Sequence, residues 1–508
     1  MTAAEKDYQK ILKHSHHARV LIGISHLLDW DQETYMPSSG AAIRAIQLET
    51  LAGLIHDQKT GKKFKSLLEK LIDIPTGKII AEGLPSAKEA ALREWRRDYL
   101  QEIALPKKFV KEFAKLSSQA VLAWREAKKE NSFTKFSPFL EKIIAMSKKK
   151  ADYIGYKDHP YDALLDHYEP NTTTKEVTAI FSDLKKPIVK LLQNISNAKQ
   201  VDDHFLHGNF SHDKQLEIAH VILKDMGYSP ERGRLDISAH PFSSASHPSD
   251  SRITTRFHKT SIISCISVIL HEAGHALYEM GLPAEHYGSP LGDAISLGMH
   301  ESQSRWWETR IGQSKAFWKH YLPLLKEKFK GVFDKIELGA FYKAVNKVEP
   351  SYIRVDADEV TYPLHVILRF EIEKALIEGS LKVRDLPDAW NAKMQSLLGI
   401  TPRNNAEGCL QDIHWAMGGF GYFPTYTLGN IYASQLFEPF AKKHPEWEKR
   451  VSEGDLGFIN DWLGKTVHQY GKQFTSHEIL KLATGKDFSI NPYVSYLEEK
   501  YKEIYELN

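Results

Sequence analysis

Apolar positions along most of this chain recur with the three- and four-residue spacing of a helix rather than with a two-residue alternation, so the pattern predicts a mostly α-helical fold. Ser86-x-x-Glu89, Thr173-x-x-Glu176 and Thr475-x-x-Glu478 each have the spacing of a capping box at the head of a helical run, in which hydroxyl and carboxylate satisfy first-turn N–H groups. Glycine and proline are sparse within the runs and collect between them, at Gly83-Leu84-Pro85, Leu105-Pro106 and Glu169-Pro170-Asn171, which marks turns. One region breaks the pattern. Between Gly233 and Phe257, rich in Ser, His and Pro, the segments Leu235 to Ala239 and Arg252 to Phe257 alternate as short strands do and predict a small sheet. Its edge could accept an extended peptide as a further strand; the plain alternative is a surface hairpin without a ligand.

Behind that region an apolar run, Ile262 to Leu270, leads into His271-Glu272-Ala273-Gly274-His275 and on into Ala276-Leu277-Tyr278, so the pentad belongs to one continuous buried helix. Histidines four apart stand one above the other on a helix face. Both imidazoles can then reach one Zn²⁺, and the glutamate between them lies beside the water that such a site activates. The chemistry implied is hydrolysis; the competing reading is a pair of satisfied core histidines. A catalytic zinc usually takes three protein ligands and keeps one position open, so a third ligand is required. Glu301, in Met299-His300-Glu301-Ser302-Gln303, falls on the next helical segment, after a loop through Gly281-Leu282-Pro283 and Gly292 long enough to fold that segment back. His300 competes with it by chemistry, and an ion-paired or solvated Glu301 is the ordinary alternative.

Composition narrows the setting without naming the activity. The chain has 508 residues, 42% hydrophobic and 26% charged, which is ordinary for a globular protein with a large core. Lys+Arg 67 against Asp+Glu 65 leaves a net charge of +2, which gives no electrostatic reason to expect a nucleic acid or an anionic membrane as partner. Clusters such as Lys148-Lys149-Lys150 read as solvated helix faces. Two cysteines, Cys265 and Cys409, cannot build a disulfide framework and fit a reducing compartment as buried small residues. The N-terminus is charged from the start and no segment has the apolar length of a membrane span, so the expectation is a cytoplasmic protein. No composition break forces a domain boundary, and residues 1–508 read as a single domain, with room for two helical subdomains flanking a groove.

Six ordered motifs connect these features. They are His240-Pro241-Phe242, Asp250-x-Arg252-x-Thr254, His271-Glu272-x-x-His275, His300-Glu301-Ser302-Gln303, Ile353-Arg354-x-x-Ala357-Asp358 and Gly408-x-x-Gln411-Asp412-x-His414-Trp415. Together they resemble the motif series of the Taq-type metallocarboxypeptidase family, and Asp29 to Thr34, Tyr161 to Asp166, Ala483-Thr484-Gly485 and Asn491-Pro492-Tyr493 extend the likeness over essentially the whole chain. The resemblance implies a helical, saddle-shaped zinc-peptidase fold with a deep substrate groove and a small sheet beside the metal helix. It also implies a homodimer, and an enzyme that releases single amino acids from peptides with a free C-terminal carboxylate. The third ligand of such enzymes is a downstream glutamate, which transfers to Glu301. One zinc ion per chain, replaceable by cobalt, is the implied cofactor.

Roles for the other residues follow with their alternatives. Glu272 is the natural general base, since its place between the ligands puts its carboxylate near the water without filling the open position. The Gly-rich stretch from His414 to Tyr426 offers donors for the oxyanion; the likeness favours Tyr426 with His414, Tyr422 in reserve, against a reading of these aromatics as core. Recognition of a free carboxylate favours arginine, and Arg354 is the family-implied choice. Its alternative is a structural ion pair with Asp356, Asp358 or Glu359. Arg252 and Arg403 are further possibilities, and His240 and Gln411 stand with Arg252 among the implied substrate contacts; Arg252 could instead brace the sheet. An oligopeptidase cutting internal bonds is the closest rival. An aminopeptidase lacks its Gly-x-Met-Glu-Asn-type motif, and a helical scaffold would need neither Glu272 nor the open position.

Overall fold

A computed structural model describes residues 1–507. Helices carry nearly all of the regular structure, and among the described residues three short strands form one sheet: β1 (Leu235–Ile237), β2 (Ser243–His247) and β3 (Asp250–Thr255). β3 is central, parallel to β1 and antiparallel to β2. The first and last are the strands read from alternation. β2, Ser-Ser-Ala-Ser-His, has too few apolar residues to alternate and is held by its pairing with β3 and by the N-terminal helix packed on it. Ile253, Thr254 and Thr255 of β3 are fully buried, and the metal-site helix (Ile262–Gly281) packs on this sheet.

The outer edge of β2 is covered by the N-terminal helix (Ala3–Thr34) rather than left open along its length. The Ala245 carbonyl accepts from Nδ1 of His26 at 2.9 Å, and the Ser246 carbonyl from the Tyr287 hydroxyl at 3.0 Å. Gly23 brings the helix so near that a Cβ there would sit 3.0 Å from the Ser246 oxygen. These carbonyls are taken, so a peptide cannot pair with them as the open-edge reading expected.

Two of the three capping boxes form, at Thr173 and Thr475. The third does not: Pro85 occupies the N-cap position, and Ser86 falls inside the first turn, where its hydroxyl caps nothing. A box without a hydroxyl appears at His159, whose ring accepts from the Tyr161 N–H while Asp162 accepts from the His159 N–H.

Apolar side chains gather into three clusters. One surrounds the helix Tyr362–Glu378, buried from Leu364 to Phe370; a second contains the metal-site helix with Trp306 and Trp307; a smaller one joins Tyr8 and Ile11 to Phe64, Leu68 and Trp95. The helix Pro424–Lys443 supplies Ile431 to the first and Leu428, Tyr432 and Leu436 to the second, which ties the two together beside the site. Cys265 and Cys409 are buried free thiols. No helix of the described residues is long and apolar enough to cross a membrane.

Candidate active site

The metal-site helix starts at Ser261, whose hydroxyl accepts from the Ser264 N–H, and buries Ile262, Ile266, Ile269 and Ala273 on its core side. That orientation turns His271 and His275 together to the other side, with ring centroids 4.9 Å apart. The chain returns through Leu282 to Ser296, and the Ser296 hydroxyl caps the next helix (Leu297–Arg305) by accepting from Met299 N–H at 2.9 Å. Glu301 then projects at the histidines: its Oε2 lies 3.7 Å from His271 Nε2 and 3.5 Å from His275 Nε2. Ligand atoms of all three residues lie within 4.8 Å of one another. Two imidazole nitrogens and one carboxylate oxygen at this separation are the donor set of a divalent transition ion. His300 faces the outer side of His275, Nδ1 to Nδ1 at 2.6 Å, and so stands behind the three converging donors instead of among them.

The helix carrying Glu301 continues as a π-helical turn, Trp306–Ile311, which brings Glu308 under His271. Glu308 accepts from His271 Nδ1 at 2.8 Å and from Arg305 Nη1 at 2.6 Å. Burial would raise its carboxyl, but Arg305 and His271 outweigh it and hold it at about 2. Burial also opposes charge on His271, yet Glu301 and Glu308 carry that ring up to about 9, whereas burial takes His275 down to about 4. Glu272 is 8% exposed, and burial pushes its carboxyl up to about 7.

A second cluster lies beside the first. Arg354 donates from Nε and Nη2 to Asp412 Oδ1 at 3.2 and 2.9 Å and from Nη1 to the Tyr362 hydroxyl at 3.1 Å, which engages three of its five N–H groups. Arg369 holds the other oxygen of Asp412 at 2.6 Å. Arg354 is therefore ion-paired, but with Asp412; Asp358 instead accepts from Thr361, and Glu359 pairs with Lys500 at 2.7 Å. Its guanidinium sits 4.9 Å from the Tyr426 ring. His414 Nε2 is 3.3 Å from the Tyr426 hydroxyl, and the Tyr422 and Tyr426 rings are 5.3 Å apart. The clusters are neighbours: Tyr422 lies within reach of the charges of Glu301, Arg354 and Glu272, and Tyr426 within reach of those of Arg354 and Glu301.

Of the remaining expected residues, Gln411 belongs to the Arg354 cluster and the others sit elsewhere. Gln411 is a strut, its oxygen accepting from the Arg354 backbone N–H at 2.8 Å and from Arg369 at 2.7 Å, its amide donating to the carbonyls of Glu407 and Tyr352. Arg252 pairs with Asp250 at 2.8 Å and stacks 4.4 Å from the Trp30 ring, bracing the sheet against the N-terminal helix. His240 is exposed and Arg403 pairs with Glu407 on the surface. Glu308 and Asp412 carried no assigned role in the sequence; Glu308 could have been found from its seven-residue spacing after Glu301, which repeats a helix face. A cavity of about 810 Å³ runs between Arg19, Trp95 and His167 and ends on Glu279 and His300, behind the ligands. Neither His271, Glu272, His275 nor Glu301 lines this cavity, which reaches their neighbourhood through Glu279 and His300.

A helical fold with a histidine pair, a downstream glutamate and a buried glutamate between them defines a metallopeptidase. The model of the Carboxypeptidase Taq (M32) metallopeptidase family matches residues 10–501, and the chain belongs to that family. It is a metallocarboxypeptidase, a hydrolase of peptide bonds. It is 40% identical to thermostable carboxypeptidase 1 of Thermus thermophilus over 99% of both chains, and 38% identical to carboxypeptidase 1 of Bacillus subtilis over 99% of this chain and 98% of that one. The crystal structure of an M32 carboxypeptidase from Deinococcus radiodurans R1 superposes with a TM-score of 0.95 at 35% identity, covering 99% of this chain and 100% of that one.

Proposed function

We propose that His271, His275 and Glu301 hold one divalent ion per chain, zinc with cobalt able to replace it, and that the enzyme removes single amino acids from the C-termini of peptides. The convergence of two Nε2 atoms and a carboxylate, with each Nδ1 engaged from behind, carries the reading. When bound, the ion polarises the scissile carbonyl and lowers the pKa of water from roughly 15.7 toward about 7.

Glu272 takes the proton of the attacking water and delivers it to the leaving amine nitrogen, the base having become an acid. Tyr426 and Tyr422 offer hydroxyl donors to the oxyanion. His414, which burial lowers to about 4, stays neutral at pH 7 and orients the Tyr426 hydroxyl. Arg354 keeps two N–H groups beyond those given to Asp412 and Tyr362, and its fixed charge suits the free carboxylate. Asp412 and Gln411 hold it in place. The family likeness supports a homodimer, and the two thiols support a cytoplasmic setting.

Mass spectrometry of one unblocked peptide over time, with zinc, cobalt or chelator, tests the function. A chelator-sensitive ladder of single-residue losses is expected; internal fragments, or equal turnover of an amidated peptide, would point to an oligopeptidase.

A further inference from the structure

The two histidines of the pentad are anchored differently on the side away from Glu301. His271 meets a carboxylate directly, that of Glu308. His275 meets another imidazole: its Nδ1 lies 2.6 Å from Nδ1 of His300, whose Nε2 lies 3.0 Å from Oε1 of Glu279. Two facing ring nitrogens share one proton between them, and the carboxylate of Glu279 decides which ring carries it. A carboxylate only accepts, so His300 carries its proton on Nε2 and presents a bare Nδ1. His275 must then keep its own proton on Nδ1, leaving the Nε2 lone pair directed at Glu301, the form in which an imidazole binds a metal.

We propose that Glu279 and His300 are positioning residues of the metal centre: a carboxylate–imidazole relay that locks the tautomer and ring plane of His275. Helix geometry supplies half of the relay, because His271, His275 and Glu279 lie four apart along one stripe of a single helix. The helix Leu297–Arg305 supplies the rest, presenting Glu301 to the inner side of His275 and the adjacent His300 to its outer side. The relay also lines the cavity of about 810 Å³, with side chains 18% and 17% exposed, so substitutions alter a cavity wall rather than the packed core.

The inference rests on the ligand assignment given under the proposed function, and the test separates the two. Zn²⁺ affinity of the full-length metal-free protein is measured by chelator competition, and the visible spectrum of the Co²⁺ form is recorded. His300→Leu keeps bulk but neither accepts nor donates; His300→Gln can do both, its oxygen taking the His275 proton and its amide reaching Glu279. We expect His300→Leu and Glu279→Leu to weaken Zn²⁺ binding about 10–100-fold and to shift the Co²⁺ bands. His300→Gln and Glu279→Gln should stay close to the parent protein. Wild-type affinity in both Leu variants, or equal losses in the Leu and Gln variants, overturns the relay. Unchanged metal content in Glu301→Gln would overturn the ligand set itself. If His300→Leu does not fold, the Glu279 pair reads the same relay.

Discussion

A methyl group on Gly274 would lie 2.6 Å from Cα of Ser304 and 2.7 Å from the carbonyl oxygen of Gln303. The metal-site helix and the helix bearing Glu301 therefore meet backbone to backbone at the level of the ligands. Gly429 of the helix Pro424–Lys443 makes room for the Glu301 side chain, since an added Cβ there would fall 2.7 Å from its Cβ and Cγ. His271, His275 and Glu301 lie close together because no side chain separates the helices that carry them at Gly274.

Gly274→Ala should therefore act on metal and stability together, since backbone atoms cannot rotate aside. Overpacking of this kind costs about 1–3 kcal/mol. Urea unfolding and Zn²⁺ titration should both register it; a variant unchanged in both would mean that the helices separate freely.

Glu272→Gln keeps the size of the side chain and removes the base. It should retain its metal and lose roughly 10²–10⁴-fold in kcat. Metal analysis beside steady-state turnover checks it, and near-normal turnover in the metallated variant would take Glu272 out of the reaction.

Arg354→Lys keeps a positive charge but loses the planar fork that spans Asp412 and Tyr362. A charge-assisted bond of about 1.5–3 kcal/mol corresponds to a fall of roughly 10–150-fold in kcat/KM on free-carboxylate peptides. Any residual cleavage of C-terminally amidated peptides should be nearly unaffected. Equal losses on both substrates would mean that the substitution damages the fold.

Asp412 gives the pH dependence. Burial alone would raise its carboxyl, but Arg354 and Arg369 outweigh burial and hold it far below its ordinary value of 3.8. A depressed folded-state value contributes stability that is present above the unfolded value and lost as pH falls below it, so acid should weaken the protein below about pH 4. Asp412→Asn should flatten that limb. It should also cost about 3–5 kcal/mol at neutral pH, because two buried guanidinium groups lose their counter-charge. Denaturant midpoints at pH 7 and pH 3 measure both effects, and an unchanged midpoint at pH 7 would contradict them.

Legibility followed the range of each interaction. The helical class, the strands at Leu235 and Arg252 and the boxes at Thr173 and Thr475 were readable because each rests on residues a few positions apart. Ser86 misled because the preceding proline took the cap. β2 was silent because its stability comes from β3 and from the helix that covers it. Glu308, Glu279 and His300 escaped as outer partners because nothing local says which neighbour an imidazole will find behind it.

By itself the sequence determined the helix carrying His271, Glu272 and His275, the following segment carrying Glu301, and through its ordered motifs the family, since backbone periodicity and spacing are written along the chain. Only the tertiary structure decided that His300 stands behind His275, that Asp412 is the partner of Arg354, and that the outer edge of β2 is occupied by the N-terminal helix. Those choices depend on which distant surfaces come within hydrogen-bonding distance, and packing of the whole chain sets that.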